Sequence, residues 1–219
     1  MATRQLLAEL LGQWRARSGQ AVDMESVGGV DAARRVQAGE AFDLVVLAAD
    51  AIDKLLAAGS LRAGSKVDLV RSGTSVAVRE GAPLPDIGSE DAVRRAVLAA
   101  RSLSYSTGPS GVALARLFER WGIAAQIQDR IVTPQPGTPV ASLVARGEVE
   151  LGFQQLSELI HVPGIAIVGP LPPAIAIDTV FSAAIGLGSP RAEAVQPLLQ
   201  WMASPETAPA KQRQGMQAL

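Results

Sequence analysis

Apolar residues recur along the chain with a helical spacing in some stretches and as short uninterrupted runs in others. Leu7, Leu10, Leu11 and Trp14 are spaced as i, i+3, i+4 and i+7, which predicts a helix over about residues 3–17. The run Leu44 to Ala48 is typical of a buried strand. The same reasoning predicts strands at about residues 21–25, 67–70, 74–79, 102–106, 149–153, 165–168 and 175–186.

Helical patterns fill most of the intervals between these strands. Ser89 precedes the apolar positions of one such helix and is predicted as its N-cap. Alternating strands and helices predict an α/β fold, and we expect largely parallel sheets covered by helices on both faces. Ligands of such sheets bind at the carboxyl ends of the strands. Further helices are predicted at about residues 31–38, 51–58, 155–160, 191–202 and 205–214. Another helix carries Leu114, Leu117, Phe118 and Trp121 on one stripe, and one more is predicted to end at about Arg146.

Composition narrows the classes of protein to which the chain can belong. With 219 residues, 48% of them hydrophobic, it can bury the core of one large or two small domains. Lys and Arg number 20 against 21 Asp and Glu, so no basic surface is expected, and nucleic acid is not an expected partner. No apolar run approaches the roughly 18 residues of a membrane-spanning helix. Cysteine is absent, which excludes disulfides and thiolate sites.

The stretch Thr107-Gly108-Pro109-Ser110-Gly111 is the most informative local feature. Glycine lets the backbone approach a ligand closely, and proline in the first turn of a helix removes no donor that the helix needs. Unpaired N–H groups and the helix dipole at this turn favour an anion, although an ordinary capped turn has the same composition. Two further turns, at Gly28-Gly29 and at Gly137-Thr138-Pro139, also lead into predicted helices.

Polar side chains follow the predicted strand at 149–153. Gln154, Gln155 and Ser157 can reach a ligand there, or can serve only to cap the next helix. Arg71 and Arg79 flank a predicted strand and can pair with an anion, but such arginines are more often solvated.

Signatures of other chemistry are missing from the sequence. His161 is the single histidine, and its place after a short helix fits a structural role better than catalysis. No nucleophile elbow, dinucleotide fingerprint or metal-ligand cluster is present. We therefore predict no catalytic residue, no metal site and no cofactor.

Three stretches carry a resemblance to a known family: RRVQAGEAFDLVVLAAD at 34–50, TGPSGV at 107–112 and VARGEVELG at 144–152. With the order of elements, they make the chain resemble the type II periplasmic substrate-binding proteins of transporters, most closely the molybdate-binding-like branch. The resemblance implies two lobes, residues 1–77 with 180–219 and residues 78–179, that hold the ligand between them. The ligand contacts that it implies are Gly28, Gly29, Val30, Thr107, Ser110, Gly111, Val112, Gln154 and Gln155.

The beginning of the chain departs from the family pattern. Family members open with a signal peptide and a strand, whereas this chain begins at the helix that should follow, so the first strand is expected to be missing. The first ligand loop, Gly28-Gly29-Val30, offers only backbone N–H groups, which puts molybdate itself in doubt. A periplasmic location follows from the resemblance, but the absence of a signal peptide leaves the cytoplasm open.

The sequence leaves three functions to compare. The first is a monomeric solute-binding protein that captures an oxyanion or small carboxylate for an ABC-type transporter permease. The second is an isomerase on the same fold, acting on an unsaturated carboxylate such as aconitate, with Glu150, Glu158 or His161 as candidate general bases. The third is a cytoplasmic ligand-sensing module, for which no DNA-binding helix-turn-helix is present.

Overall fold

The backbone of the computed structural model divides into two compact units. The structure describes residues 2–135 and 137–219. Unit 1 comprises Met1–Ser72 and Thr179–Leu219, and unit 2 comprises Gly73–Asp178. The chain therefore passes between the units twice, and each unit is described by itself below.

The first segment of unit 1 begins with the predicted amphipathic helix. Leu6, Leu10 and Trp14 form its buried stripe, and Gly19 ends it in the left-handed conformation that glycine adopts without strain. The elements of this segment are α1 (Arg4–Ser18), α2 (Gly29–Gln37), β1 (Leu44–Ala48), α3 (Ala49–Ala57) and β2 (Val67–Arg79), whose second half belongs to unit 2.

Unit 2 is built on a sheet of order β5-β2-β4-β3. Strand β3 runs parallel to β4, whereas β2 is antiparallel to both β4 and β5. Its elements after β2 are α4 (Glu90–Ala99), β3 (Leu103–Tyr105), α5 (Pro109–Arg120), α6 (Ala124–Ile127), a 3₁₀ turn (Gln128–Arg130), α7 (Val140–Ala145), β4 (Leu151–Gln155), α8 (Leu156–Leu159), β5 (Ile165–Pro170) and a 3₁₀ turn (Pro173–Ile175).

The core of unit 2 lies between the sheet and α5. Leu114, Leu117 and Phe118 follow the helical period and are buried, and the Phe118 ring packs edge-on against Phe153 of β4 at 6.2 Å between centroids. Each such side chain contributes about 1.5–3 kcal/mol through its removal from water. This packing fixes the start of α5 against the sheet.

The second segment of unit 1 completes its sheet in the order β1-β6-β2-β7. Strands β1 and β6 are antiparallel, as are β2 and β7. The rings of Trp14 and Trp201 lie 5.5 Å apart in the core of this unit. The elements are β6 (Asp178–Ile185), α9 (Ala192–Ala203), a 3₁₀ turn (Pro205–Thr207), α10 (Ala208–Arg213) and β7 (Gln217–Ala218).

Two predictions about strands are wrong. The predicted strand at 21–25 is an exposed irregular segment, because no strand among the described residues pairs with it and an isolated strand leaves its backbone groups unpaired. The expected parallel arrangement is also wrong, since only β3 and β4 are parallel among the strand pairs with a described register. Alternation of helices and strands along the sequence does not fix strand direction.

The lengths of two strands also differ from the prediction. The two strands expected within 67–79 are one continuous strand, β2, which Gly73 does not interrupt. The strand expected from 175 begins only at Asp178, after the 3₁₀ turn Pro173–Ile175. Among the described helices, none has the length and apolar composition that crossing a bilayer requires.

Candidate functional site

The carboxyl ends of β3 and β4 lie at the same edge of the unit 2 sheet. The two strands are parallel, and Tyr105 stands opposite Phe153. The segment after β3 leads through Ser106 and Thr107 into α5, and Gln155 is the last residue of β4. We call this the α5 edge. It brings together four of the predicted ligand contacts of unit 2, Thr107, Ser110, Gly111 and Gln155.

The first turn of α5 presents unpaired backbone donors at this edge. Proline occupies the first helical position, and the first hydrogen bond of the helix runs from the Val112 N–H to the Gly108 carbonyl at 3.1 Å. Among the described residues, neither the Ser110 N–H nor the Gly111 N–H has a hydrogen-bond acceptor. Two donors at the positive end of a helix dipole attract an anion. The Val112 N–H is not available to a ligand, because it already donates to the Gly108 carbonyl.

Side chains around this turn are held in place. The hydroxyls of Ser106 and Ser110 lie 3.0 Å apart and share a hydrogen bond, and Ser110 is buried. Gly111 packs so closely that a Cβ there would overlap the Ser106 carbonyl oxygen. Glycine at 111 is therefore required by the packing of the helix start against the preceding segment. Thr107 is exposed and is free of this packing.

Two polar side-chain atoms are buried where the end of β4 meets β2. Thr74 of β2 stands directly opposite Gln155 in the antiparallel register. Thr74 Oγ1 and Gln155 Oε1 are buried and have no hydrogen-bond partner among the described residues. Alternation along β4 places the Gln155 side chain on the same face as Phe153, which is the face that α5 covers. Buried polar atoms without partners are costly, and a bound solute can satisfy them.

A cavity of about 170 Å³ opens at the start of α5. Its wall is mainly apolar with hydroxyls at intervals, a composition typical of sites for small organic molecules. Burial, with a smaller effect from the charge of Glu119, raises the pKa of the Tyr105 hydroxyl, so this group stays protonated and can donate a hydrogen bond. The lining residues are Tyr105, Ser106, Thr107, Gly111, Val112, Ala115, Ile131 and Thr133.

Gln154 points away from α5. Its Oε1 accepts a hydrogen bond from the Ala141 N–H at 3.0 Å, so it caps the start of α7 on the other face of the sheet. Burial raises the pKa of the Glu158 carboxyl group in α8. Ser157, next to Glu158, is buried, and its Oγ has no partner among the described residues.

The remaining predicted contacts belong to unit 1. Gly28, Gly29 and Val30 stand at the start of α2 and are exposed, with Val30 at 76% exposure. Asp31 lies in the first turn of α2. A carboxylate at that position already interacts with the positive end of the helix, and this weakens the attraction for a second anion.

The two arginines considered from sequence differ in position. Arg79 is the last residue of β2, five residues beyond Thr74, and its side chain lies beside Gly147, away from the α5 edge. Arg71 belongs to unit 1, where it pairs in register with Gln217. In residues 2–135 and 137–219, no group of His, Asp and Glu side chains is arranged to hold a metal ion.

Sequence reasoning missed several residues of this site. The predicted contacts did not include Tyr105, Ile131 and Thr133, which line the cavity. They also did not include Thr74, which lies opposite Gln155. One signal was present for Thr74: the strand Val67–Arg79 contains Ser72, Thr74 and Ser75, and hydroxyls are unusual in a fully buried strand. No local signal marks Ile131 or Thr133, because the fold brings them to the cavity from a distant loop.

Comparisons with known proteins extend over nearly the whole chain. The family model described as bacterial extracellular solute-binding protein matches residues 1–217. Aconitate isomerase from a Pseudomonas species is 42% identical over 185 residues, which are 83% of this chain and 70% of that protein.

Solved structures give a similar result at lower identity. The periplasmic molybdate-binding protein of Azotobacter vinelandii superposes with a TM-score of 0.81 at 21% identity, covering 98% of this chain and 95% of that one. A tungstate-binding protein from Desulfovibrio alaskensis gives 0.68 at 16% identity, covering 93% and 86%. At these identities the likeness shows the fold alone, and it confirms the predicted two-lobed α/β fold of molybdate-binding-like periplasmic proteins.

Proposed function

Because the chain belongs to the family of bacterial extracellular solute-binding proteins, we propose that it captures a small oxyanion or carboxylate and delivers it to an ABC-type transporter. In this proposal the protein acts as a monomer in the periplasm, and its membrane partner is the transporter permease.

The α5 edge supports the anionic character of the ligand. The unpaired N–H groups of Ser110 and Gly111 stand at the positive end of a twelve-residue helix. At the same edge, Thr74 Oγ1 and Gln155 Oε1 are buried and have no hydrogen-bond partner in the part of the chain that the structure describes. An anion satisfies the donors, and its own hydroxyl or protonated carboxyl group satisfies the Gln155 oxygen. We propose Gly111, Ser110, Thr107 and Gln155 as ligand contacts of unit 2, and Gly28, Gly29 and Val30 as those of unit 1.

Two other predicted contacts, Val112 and Gln154, can contribute less to the proposed site. The N–H of Val112 is used within α5, so this residue can contribute only its partly exposed side chain. The side-chain oxygen Oε1 of Gln154 accepts a hydrogen bond from the Ala141 N–H of α7. Gln154 can therefore contact a ligand only through its side-chain NH₂ group, or influence it indirectly.

Calorimetric titration tests the binding function. Molybdate, tungstate, sulfate, citrate and trans-aconitate are each titrated into the full chain at low ionic strength. We expect heat of binding with at least one of these anions, and weaker binding when Gln155 is replaced by leucine, which keeps the size of the side chain but removes its polar atoms. The absence of heat and of any thermal shift with all five anions would contradict the proposal.

A second function is favoured by one specific observation, the 42% identity to an aconitate isomerase. We propose as this alternative that the chain isomerises a small unsaturated tricarboxylate bound at the same edge. Following cis- and trans-aconitate by ultraviolet absorbance tests this alternative. A chain that binds aconitate without converting it is a binding protein only.

A further inference from the structure

A second cavity of unit 2 lies beside the later turns of α5. Its volume is about 380 Å³, which is within the range of clefts that hold small organic molecules. It shares no lining residue with the cavity at the start of α5. The second cavity is therefore separate from the α5 edge, and no part of the proposed binding function uses it.

One wall of this cavity is a single stripe of α5. The stripe consists of Ala113, Arg116, Leu117 and Arg120, whose spacing of i, i+3, i+4 and i+7 places them on one face of the helix. Leu117 is buried, whereas Arg116 and Arg120 are exposed. This wall therefore has an apolar base and a positively charged rim.

The other wall is formed by residues 174–177. Ile175 is buried and adds a second apolar side chain to the base, whereas Ala174 and Ala176 are exposed and too small to fill the space. The chain contains no ionisable side chain between Ile165 and Ile177. This wall therefore offers no carboxylate to the arginines of α5.

The two arginines keep most of their hydrogen-bond donors unused. Arg116 has no ion-pair partner among the described residues. Arg120 Nη2 reaches Glu90 Oε1 only at 3.5 Å, and the same oxygen already accepts a hydrogen bond of 2.6 Å from Trp121 Nε1. Like charges four residues apart on a helix repel each other, and an anion bound between them relieves this repulsion. A guanidinium group can also hold a carboxylate through two parallel hydrogen bonds.

We propose that this second cavity, the arginine cavity, binds a small organic anion. Its charged group lies between Arg116 and Arg120, and its apolar body packs on Leu117 and Ile175. The positive rim selects for the anionic group, and the apolar base selects for a carbon skeleton. An inorganic oxyanion can satisfy only the arginines, so a carboxylate that carries a ring should bind more tightly.

Titration of the full chain with 1-naphthoate tests the proposal, and 1-naphthamide, which has the same rings but no charge, is the matched control. Backbone amide signals of the isotope-labelled protein are followed by NMR. We expect 1-naphthoate to shift signals within residues 113–120 and 174–177. It should bind at least about tenfold more tightly than 1-naphthamide, because the amide cannot accept charge-assisted hydrogen bonds as a carboxylate does. Equal affinities, or shifts confined to residues 105–112 at the α5 edge, would overturn the proposal.

A pair of double variants separates a specific contact from general attraction by positive charge. R116Q/R120Q should weaken binding of 1-naphthoate by about tenfold or more, because both guanidinium groups are lost. R94Q/R95Q removes the same charge from exposed positions of α4 that line neither cavity, so it should bind 1-naphthoate as the wild type does. Equal weakening in the two double variants contradicts a site at Arg116 and Arg120.

A third variant, A113L, fills the cavity and keeps both arginines. It should also lose binding of 1-naphthoate, and circular dichroism confirms that the variant is folded. Binding by A113L at the affinity of the wild type would mean that the probe contacts the arginines without entering the cavity, and the proposal would be wrong. It would also be wrong if 1-naphthoate leaves residues 113–120 unchanged and a hexaglutamate peptide shifts them, since the surface would then fit an acidic segment of a protein.

Discussion

Lys211 is a buried lysine of unit 1. Its side chain is 0% exposed, and no hydrogen-bond acceptor for Nζ lies among the described residues. Burial lowers the pKa of this lysine, because an ammonium group loses its hydration there. The folded state therefore binds this proton less readily than the unfolded chain does.

Replacement of Lys211 by methionine should stabilise the protein. Removal of a buried polar group without partners is expected to raise the free energy of unfolding at pH 7 by about 1–3 kcal/mol. The wild type gains stability as the pH rises toward the ordinary lysine pKa, so the difference between K211M and the wild type should shrink at alkaline pH. Urea unfolding at pH 7 and pH 9.5 measures both effects.

Lys54 provides the control for this substitution. Its side chain is 81% exposed, so K54M should change the stability by less than about 0.5 kcal/mol at either pH. A K211M variant that is less stable than the wild type at pH 7 would show that Nζ has a favourable partner.

Gly111 determines the local geometry of the α5 edge. In G111A the added methyl group overlaps the Ser106 carbonyl oxygen, so the segment before α5 must move. We expect a loss of about 1–3 kcal/mol in unfolding free energy, as for other overpacked sites, and weaker anion binding. Thermal melts and calorimetric titration measure the two effects.

Gly108 offers a matched control in the same turn. A Cβ there would lie 3.9 Å from the nearest atom, Ser106 Oγ, so G108A should be tolerated. If G108A and G111A lower the unfolding free energy and anion binding equally, then the cause is the altered flexibility of the helix backbone and not the close packing at residue 111.

At the scale of elements, α4 shows how a local sequence signal fixes a helix end. Ser89 adopts an extended backbone conformation, and its hydroxyl accepts a hydrogen bond from the Ala92 N–H at 3.2 Å, which confirms the predicted N-cap. Glu90 and Asp91 in the first turn add favourable interactions with the helix dipole.

Removal of the Ser89 hydroxyl should weaken α4. We expect S89A to lower the free energy of unfolding by about 1 kcal/mol, because one N-terminal N–H group loses its acceptor. Denaturant unfolding gives this value, and S89D, which keeps an acceptor, should stay close to the wild type. If both variants lose stability equally, then the cap is not the cause.

At the scale of the whole molecule, the two units differ in how their cores are assembled from the chain. Every buried member of the main core of unit 2 lies between Val76 and Ile175, within one continuous segment. The core of unit 1 draws on both of its segments, from Ala2 to Val70 and from Ala183 to Met216. The core of unit 2 can therefore form from one continuous segment, whereas the core of unit 1 needs two segments that are far apart in the sequence.

This difference predicts the behaviour of two fragments. A fragment of residues 73–178 contains the whole sheet β5-β2-β4-β3 of unit 2 and should unfold cooperatively on heating. A fragment of residues 1–72 lacks β6 and β7, the strand partners of β1 and β2, and should remain unfolded. Far-ultraviolet circular dichroism during heating tests both. A gradual, non-cooperative melt of 73–178 would contradict the first expectation.

The sequence by itself determined features that depend on near neighbours. The stripe of α1, the cap at Ser89 and the proline and glycine of the α5 turn were all predicted, because each rests on contacts within a few residues. The α/β fold was predicted from the order of such elements and from resemblance to a family.

Tertiary structure decided everything that depends on partners distant in sequence. It left residues 21–25 without a strand, joined the two predicted strands of 67–79 into β2 and placed Thr74 opposite Gln155. It also turned Gln154 toward α7, away from the face of the sheet that α5 covers. The physical reason is that strand pairing and burial are satisfied between segments far apart in the chain, so no local pattern records which partners meet.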